Sequence, residues 1–205
     1  MIPFGQRGGN YGVWRVGRVR ILFLAEYRGD PVTAPRASRP VEGEFLPYYE
    51  RYIALVPPGD VLTTLDAQMS ETQTLLRGLP ASIATYRYAP GKWSVNEIIG
   101  HLIDSERIFA DRALRFARND PTPLPGFEQD DYIRNSKFDL YPLAELASEL
   151  DTVRRSTVFL FKHLEEPDWM RRGVANNAEV SVRALAYIIA GHELHHRDVL
   201  HARYL

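Results

Sequence analysis

The sequence predicts an all-α protein built as a four-helix bundle, and three observations carry that reading. Four segments repeat apolar residues at the 3.6-residue period of an amphipathic helix. After residue 40 no run of any length alternates with the period of two that marks a half-buried strand. A proline-rich stretch of 23 residues, 119–141, separates the second and third helical segments and bears on how the helices are connected.

Residues 1–40 are rich in Gly, Arg and Pro, as in Arg7-Gly8-Gly9, Arg28-Gly29-Asp30-Pro31 and Pro40, and show neither period. A disordered or loosely packed N-terminal extension is expected over 1–40, with the bundle domain over 41–205. Val16 to Ala25 is the part of it able to form a short strand or an arm packed on a partner. From Phe45 to Val56 the residues Phe45, Tyr48, Tyr49, Tyr52 and Ile53 read as one or two turns of helix whose aromatics serve packing, closed by Pro57-Pro58-Gly59.

Asp60 caps the first long helix, whose apolar positions Leu62, Leu65, Met69, Leu75 and Leu76 run to the stop at Gly78 and Pro80. Ser94-Val95-Asn96-Glu97 is a capping box, so the second helix starts at Ser94 and carries Val95, Ile98, Ile99, Leu102, Ile103, Phe109, Leu114 and Phe116 to about Arg118. The run Asp120-Pro121-Thr122-Pro123-Leu124-Pro125-Gly126 then excludes regular helix from the connection that follows. Pro142 suits a first helical position, and Leu143, Leu146, Leu150, Val153, Thr157, Leu160, Phe161 and Leu164 form the third stripe, with Pro167 as its expected end. Arg171 to Val180 is polar with a turn at Asn176-Asn177. Ser181 caps the fourth helix, which runs through Val182, Leu185, Ile188, Ile189, His192, His196 and Val199 to about Arg203.

A chain of 205 residues suits one domain with a full core. Its net charge of −1 offers no long-range attraction to phosphate backbones, so nucleic acid is not an expected partner. With no cysteine, disulfides, Cys-ligated zinc and a thiolate nucleophile of the protein's own are excluded, and any thiol chemistry needs an external thiol. Ile21-Leu22-Phe23-Leu24-Ala25 is too short to span a bilayer and lacks the usual small-residue cleavage site after it, so no membrane association and a cytoplasmic location are expected.

Three of the six histidines fall within His192-Glu193-Leu194-His195-His196. Positions four apart stack on one helix face, so His192 and His196 can direct two imidazoles at one point, the commonest two-ligand arrangement for a transition metal on a helix. They continue the face marked by Leu185, Ile188 and Ile189, where two buried imidazoles without partners would be doubly costly to desolvate. His101 lies beside the second helix's stripe and supplies a third ligand, with Glu97, Asp104 and His195 as candidates to orient ligands or shuttle protons. His195 also stands close enough to His192 to share a face with it, so it competes with His196 for the second ligand position.

His101 stands about seven residues into its helix and His196 about seven from the end of its own, so their depths coincide when the two helices run antiparallel. That requires an up-down-down-up topology, with the second and third helices parallel and a long crossover between them, and the stretch 119–141 stands at that junction. Three neutral imidazoles leave a divalent ion with open positions for water, an anion or substrate.

Pro90-Gly91-Lys92-Trp93-Ser94 leading into Glu97 and His101, the loop Pro121-Thr122-Pro123-Leu124-Pro125-Gly126-Phe127, and Ala190-Gly191-His192-Glu193-Leu194-His195-His196-Arg197 resemble the DinB/YfiT-like superfamily over roughly residues 40–205. The resemblance implies a bundle of that topology, frequent homodimers, and nickel or zinc held by His101, His192 and His196. It also implies activities that range from transfer of bacillithiol or mycothiol and thiol-dependent isomerisation to metal-dependent hydrolysis and damage-inducible, stress-related roles.

The leading expectation is therefore a divalent-metal-dependent enzyme that transfers a low-molecular-weight thiol to an electrophilic small molecule, with Trp93 near the rim of the pocket. A metal-dependent hydrolase and a non-enzymatic stress-related metal-binding protein are the alternatives. His192 to His196 also matches the H-E-x-x-H of zinc proteases with Glu193 as base. The patterns of that kind that specify a third ligand place it downstream, however, and only nine residues follow His196.

Overall fold

The computed structural model describes residues 12–16, 19–23 and 37–205, in two compact units, Met1–Ala34 and Pro35–Leu205. In the first unit, β1 (Gly12–Val16) and β2 (Val19–Phe23) pair antiparallel, with Trp14 opposite Ile21. The remainder of the expected extension up to residue 36 lies outside the described residues. Residues 37–40 pack with the second unit: Ala37 is buried in its core, Arg39 donates to the carbonyl of Ile53 at 2.6 Å, and Arg183 donates to Ser38 Oγ at 2.6 Å.

The aromatic segment forms a turn of 3-10 helix followed by α1 (Glu50–Ile53), and Asp60 caps α2 (Val61–Arg77) by accepting from the amide of Leu62. Ser94 and Glu97 close both sides of a capping box at the start of α3 (Val95–Ala117). The crossover is not free of regular structure, because α4 (Gln129–Asn135) begins once the prolines at 121, 123 and 125 are passed. Its seven residues are too few for a period to show, and Asp130 and Asp131 in its first turn suit the positive end of the helix dipole.

α5 (Leu143–Lys162) ends at His163, four residues before Pro167, which instead stands in the first turn of α6 (Glu166–Met170), where its missing N–H costs nothing. The polar stretch after it is a hairpin of β3 (Arg172–Ala175) and β4 (Ala178–Ser181), although no strand was expected after residue 40. Four-residue strands carry too little alternation to be read. The turn does the folding: Asn176 and Asn177 both take positive φ, 53° and 60°, as a two-residue hairpin turn demands. Leu124 from the crossover bridges to Ala175 beside it. Ser181 then caps α7 (Val182–Arg203).

Four long helices, α2, α3, α5 and α7, form the bundle. Their directions follow from paired contacts. Tyr204 donates to the Trp93 carbonyl while His101 meets His192, so α3 and α7 run antiparallel. Asn96 donates to the Tyr141 carbonyl just before α5 begins and, further along both helices, Arg154 reaches Glu106, so α3 and α5 run parallel. Lys162 pairs with Asp66 and Gln73 reaches the Ala147 carbonyl, so α2 opposes α5, whereas Gln68 bonds the Ala190 carbonyl and Arg197 pairs with Glu71, so α2 runs with α7.

The core is not continuous. One apolar cluster joins Leu62, Leu65, Phe109, Phe116, Phe161, Trp169 and Ile188. A second joins Leu76, Ile99, Ile103, Leu146, Leu150 and Leu200. Between them, at mid-height, every long helix contributes buried polar groups: Gln68 and Thr72 from α2, His101, Ser105 and Glu106 from α3, Arg154 from α5, and His192 and Glu193 from α7.

Candidate metal centre

Each helix that carries a histidine of the polar layer places a glycine just before it. A Cβ on Gly191 would stand 1.9 Å from the carbonyl oxygen of Tyr52, so only glycine lets α1 lie on α7 beside His192. A Cβ on Gly100 would stand 2.2 Å from the Phe138 ring, which the crossover presses onto α3 beside His101. Close approach at these glycines thereby sets Tyr52 and Phe138 against the two histidine-bearing turns.

The structure brings His101, His192 and His196 together, each offering a ring nitrogen within 4.8 Å of the others. Nε2 of His192 lies 3.0 Å from Nε2 of His101 and 3.1 Å from Nε2 of His196. Burial pushes His101 down to about 4. Burial, then proximity to its fellow histidines, pushes His192 and His196 well below the usual imidazole range, so all three are neutral at pH 7.

Hydrogen bonding alone does not account for this arrangement. A neutral imidazole nitrogen bears either one hydrogen or one in-plane lone pair, so Nε2 of His192 can complete only one of its two contacts. A cation accepts a lone pair from all three nitrogens. Two nitrogens each about 2.0–2.1 Å from a shared ion lie no more than about 4.2 Å apart, and both separations meet that limit. Ser105 Oγ sits 3.4 Å from Nδ1 of His101, placed to accept its hydrogen and leave the Nε2 lone pair facing inward. Nδ1 of His196 is buried without a hydrogen-bond partner among the described residues. The donor set fits a divalent ion with open positions.

The three residues expected to support the ligands do other work. Glu97 accepts from the Ser94 amide at 2.7 Å and pairs with Arg87 at 2.8 Å, so it is occupied by capping. Asp104 faces Arg107 at 4.0 Å, and burial pushes its carboxyl up. His195 lies half-buried with its ring 5.3 Å from Tyr52 and is not part of the converging set. The zinc-protease reading loses its base, because the Glu193 carboxylate is held by Thr72 and by Arg154 at 2.7 Å.

A cavity of about 380 Å³ opens onto His101 and His192. Its walls are Tyr48, Tyr49 and Tyr52 from the aromatic segment, Ser105 and Phe109 from α3, Phe127, Glu128 and Gln129 from the crossover, and Asn176 from the hairpin turn. Trp93 does not line it; its ring packs 4.8 Å from that of His101 and stacks on His196 at 6.5 Å. The Tyr52 ring lies 5.2 Å from that of His192, and its hydroxyl receives Arg51 at 3.0 Å, so the segment read as packing also walls the site.

The family model of the DinB superfamily matches residues 64–200, about two thirds of the chain. The chain belongs to the DinB superfamily. The matched range of this DinB protein contains all three histidines and the crossover, and leaves out the aromatic segment with Tyr48, Tyr49 and Tyr52. No curated protein matches the chain.

Among solved structures, the DinB chain is similar to YfiT from Bacillus subtilis, described as a probable metal-dependent hydrolase with an unusual four-helix bundle topology. The TM-score is 0.57 at 14% identity, covering 80% of this chain and 93% of that one. The DinB-like protein YjoA of Bacillus subtilis aligns at a TM-score of 0.51 and 21% identity, over 69% of this chain and 87% of that one. A mycothiol-dependent maleylpyruvate isomerase aligns at 0.57 and 13% identity, over 71% and 62%. At these identities the likeness is one of fold.

Proposed function

We propose that this DinB protein is a divalent-metal-dependent enzyme, with nickel or zinc held by His101, His192 and His196, that transfers a low-molecular-weight thiol to an electrophilic small molecule. The observation that carries the reading is the convergence of three neutral imidazole nitrogens, two of them from His101 and His192 at the wall of a cavity of about 380 Å³, large enough for a small-molecule ligand. The bound ion supplies Lewis acidity and favours the anionic form of a ligand that binds to it.

The chain's own groups do the rest. Burial of His101 and His192 keeps most of each ring out of bulk solvent. Tyr52 and Tyr48, whose hydroxyls lie 3.4 Å apart, offer hydrogen bonds to a ligand from one wall, and the amides of Gln129 and Asn176 from the other. Phe109 and Phe127 give apolar contact. The chain has no cysteine, so the thiol arrives from outside, and a reducing cytoplasm suits that chemistry. The fold shared with a mycothiol-dependent isomerase supports thiol chemistry, and the fold shared with YfiT supports hydrolysis as the second reading.

Cobalt-substituted protein titrated with small thiols tests the choice. A sulfur-to-metal charge-transfer band that is absent from the His101→Ala variant is the expected result. Absence of the band with every thiol tried, together with metal-dependent turnover of an ester or amide, replaces transfer by hydrolysis.

A further inference from the structure

Beside the histidines the four helices meet around buried charge. Arg154 of α5, 2% exposed, donates through Nε and Nη2 to the two oxygens of Glu106 on α3, both at 2.8 Å, and through Nη1 to the Leu65 carbonyl at 3.3 Å. Nη2 also pairs with Glu193 of α7 at 2.7 Å, and the hydroxyl of Thr72 on α2 donates to the other oxygen of that carboxylate. Each of these partners of the two glutamates is a donor, which suits two carboxylates rather than carboxylic acids. One guanidinium between them leaves a single negative charge in excess, at groups no more than 4% exposed.

An unbalanced charge in a water-free interior is costly unless something of opposite sign stands near. Glu106, Arg154, Glu193 and His192 line one small internal cavity, so the excess charge adjoins His192. Arg51 approaches the histidines from the other side, but it is exposed, over the rings of Tyr48 and Tyr52, where solvent screens it.

We infer that Glu193, held in place by Arg154 and Thr72 and with Glu106 neutralising Arg154, is the fixed counter-charge for a divalent ion at the three histidines. The sum also selects the ligand. A dication and the excess carboxylate leave one positive charge, so the layer closes to neutrality with a monoanion in the open position, such as a thiolate, and disfavours a dianion. The inference rests on the histidines holding such an ion.

The test compares Glu193→Gln and Thr72→Val with the natural chain, reading zinc affinity by competition with a chromophoric chelator and thermal melting of the metal-free protein. Glu193→Gln is expected to weaken zinc binding by about tenfold or more while the metal-free protein melts no lower, because the substitution removes an uncompensated buried charge. Thr72→Val removes a hydrogen bond but no charge, and is expected to leave zinc affinity within about threefold while it lowers the melting temperature. Failure of the natural chain to bind zinc or nickel at all would sink the proposed function itself. Should the natural chain bind zinc and Glu193→Gln bind it equally well, or should Glu193→Gln melt far lower or fail to fold, Glu193 is a structural tie and this inference alone is overturned.

Discussion

The polar layer that divides the core has two halves built on opposite terms. The histidine half opens on a cavity, its groups are neutral, and its ring nitrogens cannot all satisfy one another. The charged half is sealed, its groups are ionic, and Arg154 ties four helices together through Glu106, Glu193, Gln68 and the Leu65 carbonyl. The difference teaches that burial alone does not mark a functional site. The half suited to binding an ion is the one whose donors converge without satisfying each other, and the half that holds is the one whose donors already have acceptors.

The comparison breaks most visibly if the histidines are removed. His101→Ala, His192→Ala and His196→Ala are each expected to abolish most metal binding in purified protein while the far-ultraviolet circular dichroism is unchanged, and His163→Ala and His201→Ala to leave metal content as it was. Retention of metal by His196→Ala together with its loss in His195→Ala would move the second ligand of α7 by one position.

On the charged side the effect falls on stability. Arg154→Met leaves two buried carboxylates without their common partner and is expected to destabilise the fold by about 3–5 kcal/mol, read from urea denaturation with and without metal. A loss below about 1 kcal/mol would mean that the sealed half ties nothing together.

Acid separates the halves next. The unfolded chain protonates its histidines near the usual 6.5, but folded His101 does so only at about 4. The metal-free protein therefore has its full histidine contribution above about pH 6.5 and loses it as the pH falls from there toward 4. For His101 alone the loss is roughly 3 kcal/mol, with His192 and His196 acting in the same direction. Denaturation of chelator-treated protein at pH 7 and pH 5 reads it directly, and equal stability at both would contradict neutral burial.

The smallest expected change sharpens the boundary between site and scaffold. Gly191→Ala places a methyl group against the Tyr52 carbonyl oxygen and forces α1 away from α7, at a cost of about 1–3 kcal/mol. Zinc affinity should be nearly kept, since the ring nitrogens are untouched, while affinity for any organic ligand falls as Tyr52 leaves the wall. Equal loss of both would show that α1 positions His192 as well as the cavity.

These two halves were unequally legible in the sequence. His192 and His196 stand four residues apart on one helix, so their shared face is written in the spacing, and the long stretch before Pro142 showed where His101 could join them. The charged half is spread over four helices, about one residue from each. Its trace was nonetheless present: Gln68, Glu106, Arg154 and Glu193 occupy stripe positions, since 65, 68 and 72, or 102, 106 and 109, or 150, 154 and 157, or 189 and 193 are spaced by three or four. A polar residue interrupting each stripe at its middle is the signal, and reading Val153 rather than Arg154 into the third stripe concealed it. Tyr52 was legible as an aromatic but not as a wall of the site, because nothing in its local sequence records the approach of α1 to Gly191. The hairpin at Asn176 and the short α4 were missed for a simpler reason: both are shorter than the window in which periodicity can be seen.

The bridge between Leu124 and Ala175 ties the crossover to the hairpin, and Phe127, Glu128 and Gln129 follow three residues later at the mouth of the cavity. The bundle helices own the donor nitrogens and the buried charge, whereas this collar belongs to a connection that supplies neither. Admission and chemistry are therefore separable properties of the molecule. Substitutions at 127–129 are expected to re-tailor which molecules enter while the three histidines keep their placement, so one scaffold can drift between ligands without rebuilding its interior.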